Sequence, residues 1–383
     1  VLYMFIVAVA GRFFYKQPFA QGTAANRVQR IAVLVPAYKE DDIILATAKN
    51  LLAQTYPAQA YTVYIIADGF QEKTLDALQA LQVQVFPITF EKSTKVKALN
   101  HAFQQIQAPY DVVVVCDADN MLQTTFLEKI NQAFNQGAFA VQGRRVAKNL
   151  DSPLAILDAT SETINNNMFR KGSNAIGLAS SLIGSGMAFH FNYLKKAMQE
   201  IEAVGGFDKK LQLHILETGH TIHYLNDALI FDEKVADVQT FDRQRSRWVS
   251  SQFIYIRQYF PKAVRMLAKG HLSYFMLAVF NLVLLPRSLF LILLPLLIFF
   301  GYWISPFWMF ASVVLAVLYL TSILLAIDSK HLNKQFLMAL FQVPRLAWIM
   351  ARALTRVRKS NKTFLHTKHV QTEITNEIDK VHA

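Results

Sequence analysis

Between His271 and Ile327 the only ionised side chain is Arg287, and Leu, Ile, Val, Phe and Ala make up most of what surrounds it. Few environments accept such a run. In hydrocarbon every backbone N–H and C=O must be paired within its own segment, so ~20 consecutive apolar residues become a membrane-crossing helix. Pro286-Arg287 divides the run. An arginine at the bilayer centre costs ~3 kcal/mol even on the lenient insertion scale, which sets Arg287 at an interface. Leu272–Leu285 then reads as an interfacial or re-entrant helix, Ser288–Ile304 as one complete span and Phe307–Ile327 as a second. Lys262, Arg265 and Lys269 precede the pair, Lys330 and Lys334 follow it, and the connection at Ser305-Pro306 is uncharged. Positive-inside logic puts both flanks, with any domain attached to them, on the cytosolic side of a bacterial plasma membrane.

The ends of the chain extend this reading. Val1–Ala10 is apolar but too short to span, and Arg12, Lys16, Arg27 and Arg30 follow it, so residues 1–15 read as the end of a truncated transmembrane helix. Phe336–Arg358 mixes Leu337, Leu340, Phe341, Leu346 and Trp348 with Arg345, Arg352, Arg356 and Arg358, the pattern of an amphipathic helix on the inner leaflet. Pro344-Arg345 argues against a third span there, and the polar tail after Lys368 is expected to fray. A hydrophobic share of 53% with 17% charged residues is too oily for a soluble enzyme. The net charge of +12 sits largely beside apolar segments, which favours lipid headgroups over nucleic acid. The single cysteine, Cys116, lies in a valine run and excludes an internal disulfide or a cysteine-rich metal site.

From Arg30 to about Val235 short β-branched runs alternate with helical stretches, the signature of an α/β domain with a parallel sheet. Ile31–Val35 reads as a strand ended by Pro36, Thr62–Ala67 as a second, and Asp111–Cys116 as a third. Asp41–Gln54 and Thr94–Gln104 read as helices, the latter capped by Ser93 or Thr94. The expected layout is an α/β domain over residues 28–250, interfacial helices over 251–287, two spans over 288–327, and an amphipathic helix with a cytosolic tail over 334–383.

Several groups of residues carry chemistry. Asp117-Ala118-Asp119 follows Val112–Cys116, at the strand end where open α/β sheets hold ligands. Two carboxylates there suit a hard cation, Mg²⁺ or Mn²⁺, whose coordination a diphosphate would complete, although such a pair can also mark a polar turn. Asp68-Gly69 ends the second strand in the same way. Lys95 opens a helix, where amide groups and lysine charge together favour a diphosphate, whereas Lys97 reads as a solvated charge. Gly184-Ser185-Gly186 permits a close backbone approach. Gln244, Arg247 and Trp248 have the form Q-x-x-R-W, and on a helix all three share one face. An arginine there can brace a diphosphate and an indole can stack on a sugar ring. Asp208 stands at a helix start, where an aspartate is also a common cap. His214, His220 and His223 read as structural or exposed.

In this order and beside a membrane segment, D-x-D and Q-x-x-R-W resemble the family 2 glycosyltransferases, specifically the membrane-embedded cellulose, chitin and hyaluronan synthase group. The resemblance runs from Pro36 to Trp248. It implies a GT-A (Rossmann-like) nucleotide-sugar domain and inverting transfer from a UDP-sugar to a growing polysaccharide or another acceptor hydroxyl. Pro36-Ala37-Tyr38-Lys39-Glu40 resembles the P-x-Y-N-E segment, with Lys39 where asparagine is usual, and assigns Pro36, Tyr38 and Glu40 to the nucleotide sugar. Asp68 resembles the aspartate that accepts the uracil imide hydrogen, and Lys95-Val96-Lys97-Ala98-Leu99-Asn100 the lysine-led K-x-x-A-L-N. Asp117 and Asp119 take the metal, with Asp117 and Arg247 on the donor. Gly184, Ser185, Gln244 and Trp248 line the acceptor, and Val141-Gln142 is structural.

The family's T-E-D aligns with Gly206-Phe207-Asp208, which makes Asp208 the catalytic base although the two preceding residues differ; Asp227 and Glu217 lie too far along the motif to replace it. A single-addition lipid glycosyltransferase shares Q-x-x-R-W, and the altered T-E-D also fits an inactive nucleotide-sugar-binding subunit. Few spans are visible, so a polymer channel would draw on interfacial helices, a partner subunit or a homo-oligomer. The segment Thr363–Thr367 is expected to fold back on the catalytic domain.

Overall fold

The computed structural model describes residues 1–19, 27–202, 206–355 and 369–375. The chain divides into two compact units, each assembled from separated stretches. An α/β unit draws on Gln17–Asn149, Ser180–Glu233 and Thr363–Ala383, and a helical unit on Val1–Lys16, Leu150–Ala179 and Lys234–Lys362. The span 28–250 is therefore shared between the two, and the described residues 369–375 belong with the sheet. Arg356, Arg358 and Thr363–Thr367 lie outside the described residues.

The α/β unit is built on strands β1 (Ile31–Tyr38), β2 (Tyr61–Asp68), β3 (Gln84–Ile88), β4 (Val112–Val115), β5 (Met121–Leu122), β6 (Ala140–Ala147), β7 (Met187–His190) and β8 (Ile222–Asp232). They form one sheet in the order β3-β2-β1-β4-β7-β6-β8-β5. The central valines are apolar in both directions because both faces are covered. Val112 and Val114 pack under the helices Ile44–Leu52 and Phe126–Asn135, through Ile44, Ala48, Leu51, Phe126 and Ile130. Val113 and Val115 pack on the other side against Lys95–Gln105, Phe191–Glu200 and Phe207–Glu217, through Leu99, Phe103, Leu194 and Leu211. All four valines are fully buried, and each such side chain contributes roughly 1.5–3 kcal/mol.

Two details depart from the expected parallel sheet. β7 runs antiparallel between β4 and β6. The loop before it delivers the chain beside the end of β4, pairing Met187 with Val115, so the next strand can only run back. The second is Pro36, which does not end β1; the strand continues to Tyr38 and pairs with β2 as far as Asp68. Alternate residues of β1 bond to opposite neighbours: Lys39 N–H donates to Asp68 O, while Leu34 O accepts from Cys116 N–H. Pro36 thus turns its missing amide to the β4 side, where pairing has already stopped at Leu34.

In the helical unit, Arg287–Ile304, Pro306–Ala326 and Lys334–Leu354 are each long and apolar enough to cross a membrane. The third carries the expected break: a single tight turn at Leu340–Gln342 parts helix Lys334–Ala339 from helix Val343–Thr355, and Pro344 falls in the first turn of the latter, where its lacking N–H costs little. Arg287 is the first residue of its span, and its guanidinium donates to Ser161 Oγ (2.9 Å) and Asn165 Oδ1 (2.5 Å). Its charge is met by helix Pro153–Asn165 rather than by lipid. Leu272–Val283 is helical throughout but shorter than a span. The helical segment Leu2–Phe14 packs Val7 and Ala8 on Ile164 and Met168.

The crossing of that first segment with residues 166–172 leaves no room for a side chain. A Cβ at Gly172 would lie 2.1 Å from the Val7 carbonyl oxygen. Gly172→Ala is therefore expected to destabilise the helical unit by ~1–3 kcal/mol, read as a lower thermal unfolding midpoint in detergent.

Candidate active site

The acidic turn at the end of β4 gathers the surrounding elements. Asp117 is half exposed and forms an ion pair with Lys95, the first residue of its helix. Thr94 caps that helix by accepting from Lys97 N–H (3.2 Å), as its sequence predicts. Lys95 Nζ also donates to Gly184 O (2.6 Å). Asp117 N–H donates to Ser185 Oγ (2.9 Å), and Ser185 Oγ in turn donates to Asn120 Oδ1. The lysine, the acidic turn and the Gly184-Ser185-Gly186 loop are thus one connected cluster.

Gln142 keeps that loop in place. Fully buried in β6, it accepts from Ile183 N–H (3.0 Å) and donates to Ser185 O (2.9 Å). Gln212 Oε1 holds Leu182 N–H (3.2 Å) from helix Phe207–Glu217. Asp208 lies in the first turn of that helix but is not its cap: Gly206, in the left-handed region at φ 67°, takes that position and no side chain caps it. Asp208 Oδ2 is 3.5 Å from Lys209 Nζ. Phe207 is buried with its ring 5.4 Å from Lys95 Nζ, so an aromatic face meets part of the lysine charge.

Asp68 and the β1 end form the adjoining wall. Lys39 adopts φ 55°, a left-handed conformation that asparagine tolerates better than most residues, which is the physical reason that position suits asparagine. Its ammonium lies 5.2 Å from the Tyr38 ring. Asp68 is 2% exposed, and its Oδ1 accepts from Phe90 N–H (3.2 Å). Its Oδ2 is buried without a hydrogen-bond partner among the described residues, an acceptor waiting for a donor.

Around Asp119 the charge is dense. Burial pushes Glu40 up to about 8, with Asp119, Glu233 and Asp117 adding to the rise and His369 opposing it. Burial also raises Asp119, against the pull of His369. His369 Nδ1 lies 3.8 Å from Asp119 Oδ2 and 3.6 Å from Glu233 Oε2. Burial alone would lower that imidazole, but Asp119, Glu233 and Glu40 outweigh it and push it up to about 10. Lys148, also buried, donates from Nζ to Asp119 O (2.7 Å).

Glu233, Lys148 and His369 were not singled out from sequence, and the described part of the tail does not fray. Their signal was weak: Lys148 is one basic residue after a strand, and His369 lies 250 positions beyond Asp119. His214, His220 and His223 do serve structure, with His214 bonded to Tyr193 (2.8 Å) and His220 stacked on Phe139.

Gln244, Arg247 and Trp248 lie in the helical unit, on helix Val238–Ala268. Burial lowers the Arg247 guanidinium from its ordinary value. The motif's unassigned Arg245 packs on Trp248: its guanidinium lies 4.5 Å from that ring and 4.7 Å from Phe241, and it pairs with Asp158.

A mixed sheet between two helical layers, with an acidic turn, a lysine and a glycine loop at one strand end, defines a GT-A glycosyltransferase. The family described as glycosyltransferase like family 2 matches residues 29–251, more than half of the chain, and the protein belongs to it. Hyaluronan synthase of Streptococcus pyogenes serotype M3 is 25% identical over 277 residues, covering 66% of this chain and 63% of the relative. The chain thus spans under two thirds of that relative's length. The probable glycosyltransferase YdaM of Bacillus subtilis is 24% identical over 342 residues, covering 81% of this chain and 77% of its own. Beta-monoglucosyldiacylglycerol synthase of Nostoc is 23% identical over 237 residues, covering 58% of this chain and 49% of the relative. Among solved structures, a Pyrobaculum calidifontis mannosyltransferase in complex with GDP-Man and Mn²⁺ shares the fold at TM-score 0.55 and 16% identity, with 94% of each chain covered.

Removing the Gln142 amide would strip two loop groups of their buried partners. Gln142→Leu is expected to cost ~1–3 kcal/mol for each orphaned group, seen as a lower denaturation midpoint and faster proteolysis between Leu182 and Gly186.

Proposed function

We propose that this protein is a membrane-bound, inverting, metal-dependent glycosyltransferase that moves a sugar from a UDP-sugar to a growing polysaccharide on the cytosolic face. The observation that carries the reading is the joined cluster of Asp117, Lys95 and Gly184 at the end of β4, inside the segment matched by the family. Lys95 and the first turn of its helix offer positive charge to a diphosphate. The unpartnered Asp68 Oδ2 suits the imide N–H of uracil, with Pro36, Tyr38 and Glu40 beside it on the donor.

A divalent cation, Mg²⁺ or Mn²⁺, fits this turn. Among the described residues no three His, Cys, Asp or Glu side chains gather where they would hold a metal unaided. Such ions commonly take one or two carboxylates plus substrate phosphates. Asp119 and Asp117 are the ligands we assign, two carboxylates two residues apart in the turn that follows β4. Bound there, the cation would stabilise charge on the departing diphosphate. Asp208 takes the proton from the acceptor hydroxyl as that oxygen attacks the anomeric carbon opposite the leaving group; its carboxylate does not cap its helix, and Lys209 lies beside it at 3.5 Å. Gly184 and Ser185 serve the acceptor. Gln244 and Trp248 keep the acceptor role, and Arg247 the diphosphate role, that the Q-x-x-R-W resemblance implies.

Similarity to the Nostoc lipid glycosyltransferase favours a second reading, a single addition to a lipid. The two are separated by incubating nanodisc-embedded protein with UDP-sugars, Mn²⁺ and lipid extract, then sizing the labelled product. A long water-soluble chain supports the polysaccharide reading and a lipid carrying one sugar replaces it. Donor binding with no UDP release points instead to an inactive subunit.

Two substitutions test the assigned roles. Asp119→Asn should remove Mn²⁺-dependent UDP binding in calorimetry; unchanged binding would end the metal assignment. Asp208→Asn should bind UDP-sugar as the parent does while turnover falls at least ~100-fold, the usual scale for losing a general base. Retained turnover would move the base elsewhere.

A further inference from the structure

Where β1 and β2 end side by side, the chain carries a cation that the proposed chemistry leaves without a role. Tyr38 is in register with Asp68, and Lys39 and Gly69 follow them. Lys39 N–H donates to Asp68 O and Gly69 N–H to Ile88 O, both at 3.0 Å. Both residues then turn left-handed, at φ 55° and 71°. Glycine does so at little cost, but Lys39 is the one non-glycine residue at positive φ among the described residues. Backbone strain of this kind gathers at functional sites. Here it carries the lysine side chain across Gly69, with Cγ and Cε each 3.4 Å from the point where a Cβ on that glycine would stand. The ammonium lies 5.2 Å from the Tyr38 ring, and this exposed group has no hydrogen bond or ion pair among the described residues. Lys95 and Lys148, by contrast, are already bonded to Asp117 and to the Asp119 carbonyl. Next to Lys39 stands Asp68, 2% exposed, whose Oδ1 accepts from Phe90 N–H while Oδ2 is unmatched.

We propose that Lys39 is a base-reading residue of the donor site, its ammonium donating to a carbonyl oxygen of the uracil whose imide N–H goes to Asp68 Oδ2. The proposal rests on the reading of the donor as a uridine nucleotide held at Asp68. The imide N–H of uracil stands between two carbonyl oxygens, so an acceptor with a donor beside it matches that edge. Cytosine would turn an unprotonated ring nitrogen toward Asp68, and a carboxylate has no proton to give it. Tyr38 offers a ring on the same strand end, and the ammonium lies within reach of a base packed there. The stem laid along Gly69 is what separates Lys39 from an ordinary solvated lysine. A side chain already restrained gives up less conformational freedom when its head group binds.

The test uses the full chain in nanodiscs, with uridine, UMP and UDP plus Mn²⁺ as probes that displace labelled UDP. Lys39→Met keeps the unbranched stem and the same backbone cost, so it removes the charge alone. It should weaken all three probes by one common factor of ~10-fold, the scale of a hydrogen bond from a charged group. Unchanged affinities would make Lys39 a solvated charge and overturn the proposal. Weaker UDP and UMP with uridine unchanged would overturn it too, by putting the ammonium on the phosphates. Lys39→Asn suits the left-handed backbone but is too short to cross Gly69. It should raise the thermal unfolding midpoint yet bind uridine as weakly as Lys39→Met does. Parent-like uridine binding by Lys39→Asn would show that the site uses the backbone turn and not the ammonium. Asp68→Ala run in parallel isolates the underlying reading: undiminished uridine binding there removes Asp68 from the base, whatever Lys39 does.

Discussion

Negative charge gathered at the ends of buried strands is the constraint from which the rest of the α/β unit follows. Burial raises Glu40 after β1, with Asp119, Glu233 and Asp117 adding to the rise, and raises Asp119 after β4, with Asp232 and Asp117 adding to it. Carboxylates brought together away from water are stable only if cations and hydrogen-bond donors meet them. The surrounding sequence supplies these from every direction. Lys95 comes from a helix start, Lys148 from the end of β6, and His369 from the far end of the chain. Their origins in distant segments explain why one turn can hold so many elements together.

The helical unit uses the opposite arrangement, with arginines answered by a single polar face. Helix Pro153–Asn165 presents Asp158 to Arg245, Ser161 and Asn165 to Arg287, and Glu162 to Arg170 from the following turn. It thereby fastens both the helix that carries Q-x-x-R-W and the first membrane-crossing candidate. Arg287 so met can sit at a helix start among apolar neighbours, because both of its terminal nitrogens are bonded to that face. The same logic explains Trp248: the Asp158–Arg245 pair is held between the Phe241 and Trp248 rings, which restrains an indole that is otherwise 39% exposed.

Local chemistry was legible in the sequence wherever it decides the outcome. The Thr94 cap, the valine strand and the turn after Cys116 each depend on residues within a few positions, and each forms where the sequence places it. What escaped was set by partners far away. Pro36 continues β1 because β4 happens to end first. β7 is antiparallel because of where its loop enters the sheet. The return of the chain near its last described residues is the extreme case: a fold-back was expected only of Thr363–Thr367, and the bond that fastens Gln371 reaches Lys148, 223 positions earlier.

That separation has a consequence for how the site is made. The sheet can form once β8 has been synthesised, since all its strands lie before Glu233. Residues 369–375 come later, after the three candidate spans found among the described residues. Domains and their parts form in the order they are made, and contacts between distant segments close last because loop entropy must be overcome before they reward it. Until His369–Thr375 is made, Lys148 has Asp119 O but not Gln371 O, and Glu233 has neither the Val370 nor the Gln371 amide. These contacts of the acidic turn therefore close after its sheet is complete, and they add to a turn whose strand is already held on both faces.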